Sequence, residues 1–504
     1  NLKPRPEVLR SLQKTAKLSL QETGRDDLLL YQAKSVEPGD PAVTVMTLDK
    51  KKGHMLWLPD SEALAQDTVK LLAENDAFKR AQGLVRQYEL VPDDGSEVAP
   101  KKIVTRSRTE MAPDKRATTV DVLQTVLFER TLDKHPMMGK GSQLTVDLAN
   151  GGEIVGFTLT WNPVVRSSVK AEFLKETEIY AAIEAQIKQR VRGVKLATVK
   201  KAYLVYYSDD GKFVTPAYAY TAVLTSPGVK QRAFFAGVVA AVRNPPEPLV
   251  RQRKESEPPA PIHERPAKET PPADDDPTVG RYVVRDDSWD WVDDANDFKN
   301  GLNAGHPSSY PAITFGDYYW DYPFCWTTNA NSFVNKWNIA LMEGHGANWL
   351  FSTEKNCCDL VDLNASTQPA YGNHAGSSMR FLILKGCSII PAPPDRSDWD
   401  APWWRIFRGL RQAVGFRTEM YIDDNISDDF GGYIARNCQV IPSFFSATDN
   451  CSSYQWERFW GISGDEIYGY GSVITIPGCD TNGIYRITAA AAANSAGLTI
   501  WWQH

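Results

Sequence analysis

Residues 244 to 276 carry nine prolines, among them Pro258, Pro259, Pro261, Pro266, Pro271 and Pro272, mixed with Glu, Lys, Arg and Asp. Each proline fixes φ and removes a backbone donor, and so polar a stretch has too little apolar surface to offset the entropy lost on ordering. The segment 244–279 therefore reads as an extended, partly disordered linker. It divides the 504-residue chain into two halves of different composition, residues 1–243 and 280–504. All seven cysteines come after Phe324, and so does every Trp except Trp57, Trp161, Trp289, Trp291 and Trp320. Two such compositions predict two separately folding units.

The N-terminal half reads as α+β. Leu64, Val69, Leu72 and Ala73 are spaced for the buried face of a helix over 61–86. Strands are expected at 101–106, 120–130, 143–148 and 153–161, the last two joined through Asn150-Gly151-Gly152. The pattern then repeats. Ile179, Ile183 and Ile187 mark a helix over 176–191, a hairpin turns at Asp209-Asp210-Gly211, and a further strand covers 231–242. This gives two modules, about 1–165 and 166–243, each a helix leading into an antiparallel sheet. With its Asp-Gly-Lys hairpin between Tyr-rich strands, this half resembles the PepSY and FTP modules of secreted-protease propeptides. His54 and His135, beside Gly53 and Pro136, read as surface turn residues, as does the run Lys50-Lys51-Lys52.

In the C-terminal half, two short segments carry the chemistry. Trp337-Asn338-Ile339-Ala340-Leu341-Met342-Glu343-Gly344 leads into His345-Gly346, and Met379-Arg380-Phe381-Leu382-Ile383-Leu384-Lys385-Gly386 leads into Cys387-Ser388. Each is an apolar run of strand length that stops at a Gly and then presents a reactive side chain. As neighbours in a parallel sheet, the two runs bring His345 and Cys387 out together at the carboxyl edge, where open α/β sheets place their ligand sites. An imidazole beside a thiol generates a thiolate nucleophile and later protonates the leaving group. The backbone N–H groups of Gly346 and Cys387 are the candidate oxyanion donors, since Gly lets a substrate approach the main chain. Taken singly, a Cys after an apolar run is most often a small buried hydrophobe. His374, in a Gly- and Ser-rich loop, is the alternative base.

On these residues the C-terminal half resembles the caspase-like cysteine peptidases, the group of legumain, gingipain, clostripain, metacaspases and the CHAT domains. In that family the third strand of a parallel sheet ends in His-Gly and the fourth in the catalytic Cys, which match His345-Gly346 and Cys387. The true caspase signature around the Cys is replaced here by Lys-Gly-Cys-Ser. A helix over 403–414, Gly415 and a strand over 416–422 resemble the elements after the Cys in CHAT-type members, and another helix is expected from Asp428 to Arg436. The resemblance implies an α/β caspase-like domain with a mainly parallel sheet over 280–504. It also implies amide-bond hydrolysis of a peptide or protein substrate by a Cys–His dyad.

Further expectations concern partners and compartment. A net charge of -6 gives no electrostatic reason for nucleic-acid binding. No apolar stretch is long enough to span a membrane. Asn1 in place of an initiator Met fits a processed N-terminus. With Cys387 as the free thiol, six cysteines remain for up to three disulfides, which predicts a secreted protein. No Cys-x-x-Cys pair supports zinc. Asp423 and Asp424 are candidates for selecting a basic substrate side chain, and Asp428 with Asp429 for holding Ca²⁺, although no cofactor is required by the dyad. The N-terminal half, in intramolecular contact with the catalytic half, is expected to hold a zymogen, with Arg251-Gln252-Arg253-Lys254 as the processing site. The competing reading is a catalytically inactive secreted binding protein on the same scaffold, its aromatics Tyr318 to Phe324 lining a groove.

Overall fold

The computed structural model describes residues 19–21, 27–33, 42–61, 64–91, 93–114, 116–167, 170–190, 196–208, 213–225, 233–246, 249, 277–284, 291–318, 321–353, 360–372, 379–420, 426–460, 468–480, 482–485 and 497–504. It is α+β, with one large mixed sheet whose pairings are mostly antiparallel. A run of five parallel strands lies within it. Thr314–Tyr318 pairs with Thr278–Val283, which pairs with the histidine strand Ile339–Glu343. That strand pairs with the cysteine strand Phe381–Lys385, and this with Gln412–Phe416. In spatial order the second strand of the run comes first, the first strand second, and the other three come after in sequence. The order therefore reverses between Thr278–Val283 and the histidine strand, the kind of switch point that opens a crevice at the carboxyl ends.

These strands read as unbroken apolar runs because both faces are covered. Ile339, Leu341, Phe381, Ile383 and Val414 face one core, under the helices Trp291–Gly305, Ile426–Ala435 and Val440–Asn450. Ala340, Met342, Leu382, Leu384 and Ala413 face a second core rich in Trp326, Trp337, Trp349, Trp399 and Trp403. Two of the helices approach to backbone contact through glycines. A Cβ on Gly431 would stand 2.5 Å from the Phe298 carbonyl oxygen, and Gly301 and Gly305 meet the Asp428 and Gly432 backbones in the same way.

The halves of the chain are joined by the sheet. Gly471–Thr475 and Leu498–Gln503 extend the parallel run antiparallel, and Leu498–Gln503 pairs with Glu97–Met111, Leu498 opposite Met111 and Gln503 opposite Arg106. From there the antiparallel strands Ala117–Leu132, Ser142–Leu148, Ile154–Trp161, His54–Trp57, Thr44–Asp49 and Leu28–Gln32 continue outward. Leu56, Leu58, Val122 and Leu123 pack in the same core as Phe430, Phe444 and Trp501. The second helix of the N-terminal half, Glu176–Arg190, packs Ile183 and Ile187 on the hairpin Leu196–Ser208 and Thr215–Thr225 with Ala233–Ala240 beside it.

Several sequence expectations are corrected. The first helix covers only Glu74–Gln87, because the backbone before it is tied to neighbouring side chains. Lys70 N–H donates to Asn150 Oδ1 and Leu72 N–H to Gln124 Oε1. The helix expected over 403–414 stops at Ile406, and the next strand is Gln412–Phe416 rather than 416–422. Ile406, Phe407 and Leu410 face one core while Val414 faces the other, so they never formed a single helical stripe. Gly409, at φ 116°, turns the chain against Gly372. His54 is no surface residue: it is buried, stacked on Tyr433 with ring centroids 5.6 Å apart, and burial drives its imidazole well below the usual value. Cys325, Cys438, Cys451 and Cys479 are buried and in no disulfide, so the expected three-disulfide framework does not form among the described residues. Cys357 and Cys358 lie outside them.

The shared sheet predicts that severing the chain between Arg253 and Lys254 leaves the pieces associated. On size-exclusion chromatography in native buffer they should co-elute and separate only in denaturant; separate native peaks would contradict this.

Candidate active site

The ladder between the histidine and cysteine strands ends with Glu343 opposite Lys385, and Gly344 N–H still donates to the Lys385 carbonyl at 3.2 Å. Beyond it the two turns interlock. A Cβ on Gly346 would lie 2.6 Å from the Cys387 carbonyl oxygen, and one on Gly386 would lie 2.8 Å from the Gly344 carbonyl oxygen and 3.2 Å from the Gly346 nitrogen. Real Cβ atoms do not sit so close to backbone, so glycine is required for the turns to meet. The expected geometry holds at this level: His345 and Cys387 leave adjacent parallel strands on the same edge.

His345 is exposed and held on three sides. Its N–H donates to Ser352 Oγ at 3.0 Å, and its carbonyl accepts from Ser352 N–H at 2.9 Å. Its ring meets the buried Trp291 indole edge-on, 5.3 Å between centroids at 85°. Trp291 opens the helix after the first parallel strand, so that helix braces the ring while Ser352 fixes the backbone of His345.

Cys387 is free and half-buried, packed with Met420 against the helix-covered core. Its thiol donates to the Met420 carbonyl, 3.8 Å away. Burial pushes the thiol up to about 11; the hydrogen bond opposes this and the Glu419 carboxylate adds to it. The resting thiol is thus protonated near neutral pH and needs a proton acceptor to react. Ser388 adopts φ 54°, unusual for a residue with a side chain, and is pinned by its N–H to the Thr418 carbonyl at 3.0 Å.

Beneath the turns of His345 and Cys387 lies a buried polar group that the sequence pattern did not disclose. The Lys385 ammonium is paired with the Asp294 carboxylate and donates to Ser427 Oγ at 2.6 Å. Glu343 is fully buried at the facing position. One signal could have found it: alternation from Phe381 and Ile383 puts Lys385 on an apolar face, where a lone charge demands a partner. Trp291 could have been found only as the first residue of its helix.

Other candidates fare differently. Asp428 reaches Lys52 at 3.8 Å, and Asp429 is pushed up to about 6 by burial and by Asp428. No group of three or more His, Cys, Asp or Glu side chains that could hold a metal occurs among the described residues. Asp423, Asp424 and His374 lie outside those residues.

Residues 279–463 match the model of a family described as a domain of unknown function, DUF6345, and this segment contains both His345 and Cys387. No curated protein matches the chain. Among solved structures, the chain is similar to an uncharacterized protein from Eubacterium rectale ATCC 33656, with 13% identity and a TM-score of 0.29 over 48% of this chain and 80% of that one. These comparisons name no chemistry.

The interlocked turns predict that Gly346→Ala and Gly386→Ala each destabilise the protein by about 1–3 kcal/mol. Gly83→Ala, in an exposed helix position with open space, should stabilise it by up to about 1 kcal/mol. Denaturant titration of the three variants measures both, and a neutral Gly386→Ala would mean that the turns do not touch.

Proposed function

We propose that the chain is a cysteine hydrolase of caspase-like type that cleaves amide bonds with a Cys387–His345 dyad. The observation that carries this reading is the placement of the two residues, one after each of two paired parallel strands whose glycine turns interlock. The strand order supports it, since the histidine strand is the third and the cysteine strand the fourth of the run.

In this reading, His345 takes the proton from Cys387 as the sulfur attacks the substrate carbonyl, and the carbonyl electrons move onto oxygen beside the N–H groups of Gly346 and Cys387. Collapse of the tetrahedral species breaks the C–N bond, and His345 returns the proton to the departing amine. Water, deprotonated by His345, then attacks the thioester, releasing the acid and restoring the thiol. Trp291 braces the imidazole and Ser352 fixes the His345 backbone throughout. The expectation of an exported protein finds no disulfide to rest on among the described cysteines.

The N-terminal half bears on the site through the helix Ile426–Ala435, which receives Lys52 at Asp428 and His54 at Tyr433. Restraint of a zymogen would act along that helix, because the pairing of Glu97–Met111 with Leu498–Gln503 makes this half a fixed part of the sheet.

One observation favours the second reading, a non-catalytic scaffold: the half-buried thiol, raised to about 11, bonded to the Met420 carbonyl. Alkylation by iodoacetamide separates the two. For the dyad, the pH–rate profile of Cys387 should show a limb below pH 8 that His345→Ala abolishes, leaving only the rise toward pH 11. For an inert thiol, wild type and His345→Ala would give one and the same high-pH limb.

A further inference from the structure

We infer that Lys385 is a positioning residue for the dyad, tying together three elements that carry the site. The inference rests on the Cys–His reading above. Lys385 is the last residue of the cysteine strand, two residues before Cys387, and its side chain is 3% exposed. Its ammonium pairs with Asp294, which is one helical turn after Trp291 on the same helix face. It also donates to Ser427 at the start of the helix Ile426–Ala435. One cation thus links the cysteine turn, the helix whose Trp291 braces His345, and the helix on which the N-terminal half bears.

The energetics argue that this arrangement serves geometry rather than stability. Taking an ammonium and a carboxylate out of water costs about as much as their attraction returns, and apolar replacements of buried pairs are often neutral or stabilising. Asp294 Oδ1 has no hydrogen-bond partner among the described residues, which makes the pair a still poorer source of stability. The neighbours on that face, Phe381, Ile383, Leu302 and Ile426, already form an apolar core that could absorb two more apolar side chains. What an apolar pair could not supply is direction: a charge pair with a hydroxyl fixes the helix rotation, and with it the Trp291 edge against the imidazole.

The test uses the full chain and iodoacetamide as probe. The double variant Lys385→Met/Asp294→Leu, made with Glu343→Gln so that no buried carboxylate is left at the facing position, should keep or raise the melting temperature. Its alkylation rate at pH 7 should nevertheless fall by about 10- to 100-fold, the scale of a misplaced reacting group. The limb below pH 8 should shrink while the limb toward pH 11 is kept. Should the double variant fail to fold, Ser427→Ala, which removes only the 2.6 Å hydrogen bond, decides. It should lower the same limb several-fold, and a wild-type profile would overturn the inference. A folded double variant with the wild-type profile, alongside a slow His345→Ala, also overturns it while sparing the dyad. If His345→Ala itself reacts like wild type, the dyad is wrong and the role of Lys385 falls with it.

Discussion

The in-register parallel pairing of Ile339–Glu343 with Phe381–Lys385 is the constraint on which the site depends. A parallel pair ends both of its strands at the same edge, so residues far apart in sequence emerge side by side without any direct bond. Burial on both faces fixes the register, because a slip by one residue would send Lys385 and Glu343 into the tryptophan-rich core and Leu384 toward the helices. The glycines beyond the strands then let the turns close against each other, while residues with side chains would hold them apart.

That pairing sits inside a sheet that does not respect the compositional division of the chain. The Pro-rich segment separates two stretches of sequence, yet Glu97–Met111 completes the edge offered by Leu498–Gln503, and the helix-covered core takes residues from both sides. An antiparallel edge left unpaired is a liability for any sheet. Here the N-terminal half covers it. The contact between halves is therefore a matter of backbone hydrogen bonds and packed side chains, with Lys52, His54 and Arg436 adding charge and stacking along one helix.

Much of this was legible in the sequence, for definite reasons. The apolar runs at 339–343 and 381–385 are buried on both faces, and such runs advertise parallel strands. The Ile179, Ile183, Ile187 stripe marked its helix because one face alone is covered. The failures share a cause: tertiary contacts overrode a local pattern. Phe407, Leu410 and Val414 were spaced like a helical face, but the chain turns at Gly409 and delivers them to opposite cores. His54, next to a turn glycine, looked exposed and is roofed by Tyr433 from the distant half. Lys385 was legible as a strand end but not as a paired charge, because its partners come from helices that no local window joins to it.

The most direct measurement is an NMR pH titration of the His345 imidazole before and after Cys387 is capped as a neutral disulfide with methyl methanethiosulfonate. The thiol is neutral while an imidazole titrates, so capping changes solvation rather than charge: a methylthio group set beside the imidazole desolvates its charged form and should lower the apparent His345 pKa. An imidazole that titrates identically in both states would mean that the two side chains do not share a site, and the account would fail.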